Sequence, residues 1–139
     1  MDIVTSIPVR IHSGESIPSF LDEVHARIAR RAFQNFVDRG SIDGRHLEDW
    51  LEAEHELILK AAPKVFLSGE DLIVEVDLSK LDPPNLAVRL APRQLVISSD
   101  VDDQGFQVCQ VIDLPAEISM DGVDAEQIDG LVRITAALV

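Results

Sequence analysis

The apolar positions of this chain change their period partway along it. Leu21, Val24, Ile28, Ala32 and Phe36 recur three or four residues apart, which places them on one face of a helix. Ser19 is the predicted N-cap, with Asp22 three residues on in a loose capping box, and Gly40 can end the helix in the left-handed region. After "GSIDG", Leu47, Trp50, Leu51, Leu57, Ile58 and Ala61 form a second stripe broken only by Glu54, until Pro63 stops it. Two helices with a short connection predict an antiparallel hairpin over residues 19–62. Isolated helices of this length are marginal, so the hairpin is expected to dock against the rest of the chain.

From Pro63 the period drops to two. "KVFLSGEDLIVEVDL" predicts a β-hairpin turning at Ser68–Asp71, with Leu72, Val74, Val76 and Leu78 on one face. Leu86, Val88 and Leu90 alternate against Ala87 and Arg89, and Leu95 and Ile97 follow, with Pro83, Pro84 and Pro92 as breaks. Phe106, Val108, Gln110, Ile112 and Leu114 alternate again, as do Val132, Ile134 and Ala136 near the end. Short strands separated by turn signals predict a mainly β fold, a β-sandwich over residues 63–139. Residues 1–18 carry "SIPVRI" and "ESIPS", where each proline holds the isoleucine before it extended, so this segment is expected to be an arm.

Composition narrows the function classes. The chain has 139 residues, 46% of them hydrophobic but only 4% aromatic, so its core must be aliphatic. The net charge is −13, and both halves are acidic: seven basic against eleven acidic residues up to residue 62, five against fourteen beyond it. The densest basic run, Arg27, Arg30 and Arg31, is flanked by Asp22, Glu23 and Asp38. Nucleic acid and anionic membrane are therefore not expected as partners. One cysteine, Cys109, cannot form an internal disulfide, and the N-terminal residues lack the basic start and apolar run of a secretion signal, which gives a soluble cytoplasmic protein as the expectation.

The search for catalytic chemistry yields none. "HELIL" at His55–Glu56 opens like a zinc-protease motif, but Leu59 stands where a second histidine is required. His46, Asp49, Glu52, His55 and Glu56 crowd the second helix, a pattern that usually marks a solvated face. Trp50 falls on the stripe of Leu47, Leu51 and Leu57 and is expected to anchor the hairpin core. Cys109 has no neighbouring base, so a partly buried, inert thiol is expected. Neither an enzyme nor a cofactor follows from these residues.

Near the end, Ala125 is followed after three residues by Asp129-Gly130-Leu131-Val132, and Leu114-Pro115 stands ahead of it. The glycine suits a tight turn that needs positive φ or close backbone approach. With the strand order, this motif resembles the α-crystallin domain of small heat-shock proteins over about residues 63–138. The resemblance implies an immunoglobulin-like α-crystallin-type β-sandwich with an N-terminal α-helical hairpin, and an ATP-independent holdase that binds unfolded or partly folded client proteins. It implies a homodimer or small homo-oligomer. Residues 23–62, with "IARRAF", Gly40, Gly44 and "LEDWLEAEHEL", also resemble a bacterial helical-hairpin domain of unknown function.

The chain departs from the family's pattern in several places. Ser79-Lys80 replaces a usual Pro-Gly, Gln110 replaces an arginine used at a dimer contact, and "SSDVDDQG" is too short for the strand that some members exchange. The C-terminal Ile-x-Ile anchor is not found before Val139, so assembly through such a tail is not expected. Ile7-Pro8-Val9, and the overlapping Val9-Arg10-Ile11, have the form of that anchor. The resemblance maps its groove to Leu86, Val88 and Leu90 on one strand and Val123 and Ala125 on the other. Two readings stay open for Ile7 and Val9: a docking motif that adds to a sheet edge, or an apolar tripeptide in a flexible arm. Two alternatives to a simple holdase also stand, an adaptor whose hairpin recruits one partner and a holdase whose hairpin covers the groove.

Overall fold

The structure is a computed structural model that describes residues 6–41, 44–81 and 83–139. It has three layers. The first sheet runs β1(Ser6–Pro8), β9(Asp124–Ile128), β10(Leu131–Ala137), β5(Asp71–Asp77), β4(Lys64–Ser68). The second runs β2(Arg10–Ser13), β6(Ala87–Ala91), β7(Gln94–Ser98), β8(Gln107–Asp113), β3(Ile58–Leu59). Helices α1(Ile17–Asp38) and α2(His46–Leu57) form the third layer.

The period-two residues lie where alternation puts them. Leu72, Val74, Val76, Leu78, Val88, Leu90, Leu95, Ile97, Val132, Ile134 and Ala136 fill the space between the sheets. Burying such side chains contributes about 1.5–3 kcal/mol each. β4 and β5 turn over Gly69 and Glu70, as expected. The β9–β10 turn needs its glycine twice over: Gly130 has φ +85°, and a Cβ there would lie 2.4 Å from the Ser79 Cα.

The second sheet is packed on both faces around β7, whose Leu95, Val96 and Ile97 are all buried. On its outer side Val96, Cys109 and Ala91 meet Ile17, Leu21, Val24 and Ile28 of α1 and Ala53 of α2. The hairpin therefore docks on the outer face of this sheet and does not lie over the groove between the sheets, which corrects the covering arrangement. Arg27 fastens it by donating to the Gln107 side chain and, at 3.1 Å, to the Gly105 carbonyl.

The helix boundaries differ from the sequence reading. α1 begins at Ile17, because Pro18 fits the first helical turn, where its missing N–H is not needed. Ser19 is therefore inside the helix. α2 ends at Leu57, and Ile58 and Leu59 leave it to pair parallel with Gln107 and Val108. The stripe on α2 is also rotated: Asp49 and Ala53 are buried while Leu47 and Leu51 are 70% and 53% exposed. Asp49 is accommodated because Arg39 binds its carboxylate at 2.6 and 3.0 Å. Trp50 is partly buried in the hairpin core, its ring centre 6.0 Å from that of His25.

Candidate functional site

The arm is not free: it runs along the open margin of the sandwich and joins both layers. Ser6–Pro8 pairs antiparallel with Glu126–Ile128, and Arg10–Ser13 pairs parallel with Ala87–Leu90. Proline is tolerable in β1 because that strand is an edge. The crossing from one sheet to the other falls at Val9, whose N–H donates to the Ala125 carbonyl at 3.0 Å. Its side chain is 8% exposed and packs in the same cluster as Val88, Leu90 and Ala125, with Leu86 and Val123 against it.

The residues assigned to the groove thus share one cluster, and Val9 of the chain itself joins them. The backbone of Ile7 lies opposite Gln127 in β1. Ile11, second apolar position of the overlapping motif, is 41% exposed beside Val88, whereas Val9 is buried. A cleft of about 330 Å³ remains at the mouth of the groove, lined by Pro8, Val9, Arg10, Pro83, Leu86 and Gln127 among others.

Gly14 sets where the arm ends. A Cβ there would stand 2.6 Å from the Leu90 carbonyl oxygen and 2.7 Å from the Ala91 Cβ, so the backbone could not pass this close with any side chain. The chain then enters a 3-10 turn at Gly14–Ser16, capped by the Ser13 hydroxyl accepting from the Glu15 N–H at 3.2 Å, and passes directly into α1. The arm is held between a docked helix and a sheet edge. Sequence reasoning found the motif but missed Gly14, Gln127 and the parallel pairing on β6; the two prolines and the glycine were the available signals.

Four carboxylates of α2, those of Glu48, Asp49, Glu54 and Glu56, are taken up in separate ion pairs. Asp49 is bound by Arg39 and Glu56 by Arg31, and among the described residues no three metal-ligating side chains converge. The Arg39 guanidinium holds the Asp49 carboxyl below the usual carboxylate range. Burial pushes the Cys109 thiol up, the opposite of what a nucleophile needs. No helix of the described residues is long and apolar enough to cross a membrane.

Comparison with known proteins bears on the two halves separately. A family model described as a protein of unknown function, DUF2934, matches residues 23–57, which hold most of α1 and all of α2. No curated protein matches the sequence. Among solved structures, a mutant of hsp14.1 from Sulfolobus solfatataricus P2 is 20% identical with a TM-score of 0.52, over 68% of this chain and 87% of that one. Heat shock protein 16.0 from Schizosaccharomyces pombe is 21% identical with a TM-score of 0.50, over 58% of this chain and 88% of that one. The strands after the hairpin therefore have the fold of small heat-shock proteins, an α-crystallin-type β-sandwich, set here against a helical pair that matches a family without assigned activity.

Proposed function

We propose that this protein is an ATP-independent holdase that takes extended apolar segments of unfolding client proteins into the groove between its sheets. The observation that carries the reading is the seat of Val9. An extended segment of the form Ile-Pro-Val already adds to β9 by backbone pairing and places a buried apolar side chain, Val9, in the core cluster that also holds Val88, Leu90 and Ala125. A client strand would use the same contacts, which are the general chemistry of strand addition. The fold shared with small heat-shock proteins supports this use, and the net charge of −13 would keep client complexes dispersed.

The arm is then an internal occupant that a client must displace, and Ile7 and Val9 act as the docking motif. The working unit is a homodimer or small homo-oligomer in the cytoplasm, without catalytic turnover or cofactor. Suppression of a model client's thermal aggregation at stoichiometric amounts tests the reading. No suppression over a wide range of ratios, by the full chain or by a Val9→Ala variant with a loosened arm, removes it.

One observation favours an adaptor instead. The hairpin exposes Phe33 at 65%, Leu47 at 70% and Leu51 at 53%, a large apolar exposure for helices already docked on a sheet. A pull-down at rest that enriches one partner would support the adaptor, whereas many proteins collected only after heating would support the holdase.

A further inference from the structure

We propose that β4 is the surface on which a second copy of this chain docks, antiparallel and in register about Phe66, to make one continuous sheet across a two-fold axis. This names the contact of the oligomer proposed above and does not depend on client binding. The argument begins from the edges. β1 covers β9, β2 covers β6, and β3 covers the start of β8, each supplied by the chain's own N-terminal part. The rest of β8 runs beside a cavity of about 150 Å³ that Glu54 and Lys60 line together with Gln110 and Val111, and Glu54 and Lys60 form an ion pair there. Among the described residues β1, β2, β3 and β4 each keep one open side, and β4, over Lys64–Ser68, is the longest of these edges.

Edge strands that must stay single carry charges, prolines or bulges. β4 instead presents Phe66 and Leu67, 42% and 59% exposed. Its hydrogen-bonding phase suits a self-contact. The two-residue turn has Gly69 at φ +63° and no positive φ at Glu70, the type II′ form, so Ser68 and Asp71 are the closing hydrogen-bonded pair. By alternation Phe66 also bonds to β5, while Val65 and Leu67 turn their N–H and C=O groups outward. An axis through Phe66 sets Val65 of one copy against Leu67 of the other, outward groups facing outward groups, and brings the two Phe66 side chains together. Charge selects the same arrangement. Antiparallel pairing puts Lys64 beside the far end of its partner strand, where Glu70 and Asp71 lie, whereas parallel pairing would set Lys64 against itself.

A contact one strand wide buries little surface, so the dimer should be concentration-dependent. Sedimentation of the full chain over a concentration series tests it, with circular dichroism to confirm folding. Leu67→Pro removes an outward N–H without removing a bond to β5, and Phe66→Lys opposes like charges across the axis. The expected result is a dimer for the parent chain and folded monomers for both variants, with the Val65 amide exchanging faster in each variant. A parent chain that is monomeric at every concentration up to about 1 mM overturns the proposal. So does a dimer that survives both substitutions or is lost on substituting Gln110 or Val111. A free extended peptide that slows exchange at Val65 in a monomeric chain would also overturn it, by making the edge a client site.

Discussion

Val9→Ala separates a displaceable arm from a fixed one. Val9 is 8% exposed and belongs to the core cluster that also holds Val88, Leu90 and Ala125. The substitution removes two buried carbons, about 1.6 kcal/mol at about 0.8 kcal/mol each, and a small unfilled space raises this towards about 2 kcal/mol. That loss falls on the arm, because β1 and β2 touch the sandwich only at its edges, while β5 and β10 lie inside the first sheet. If the arm opens as a local unit, its open population should rise by about 10- to 30-fold at about 1.4 kcal/mol per decade. Amide hydrogen exchange reads this directly: protection in β2 should fall by that factor while protection in β5 and β10 stays put. Equal loss of protection in β2 and β10 would show that the arm opens only with the whole domain. Unchanged protection would show that Val9 is not the anchor. Either result refutes the reasoning from local burial.

Other predictions follow from single contacts. Gly130→Ala places a Cβ 2.4 Å from the Ser79 Cα on a backbone with φ +85°, so stability should drop by about 2 kcal/mol or more in urea denaturation, with Gly69→Ala, which meets nothing, costing less. Asp49 has a folded-state pKa held down by Arg39, so its contribution to stability is present above the ordinary carboxylate range and lost as pH falls below about 4. Asp49→Asn should therefore destabilise at neutral pH and flatten the acid limb of a thermal-melting profile; an unchanged limb would refute the pairing. Cys109 should resist iodoacetamide at neutral pH in the native chain and react once unfolded, since burial raises its thiol pKa and closes access.

The strands were legible because alternation is a local property. Leu72, Val74 and Val76 announce a buried face whatever they pack on, and Gly130 announces a turn because its requirement for positive φ lies in the backbone itself. The rotated stripe of α2 was not legible, since Asp49 is a polar residue whose burial depends on Arg39 ten positions away in the chain and across the turn. Ile58 and Leu59 looked helical by spacing, yet the unpaired edge of β8 draws them into a strand.

The two aliphatic faces, the helical hairpin, the acidic balance and the apolar motif in the arm can be read from the chain alone, because each is written in residues near one another. Where the arm runs, along β9 of one sheet and β6 of the other, and which sheet face the helices cover follow from the assembled fold. Those outcomes depend on which edge lies within reach of a segment once the sheets have formed. Partner choice between distant segments is set by three-dimensional proximity and shape, and no local pattern encodes it.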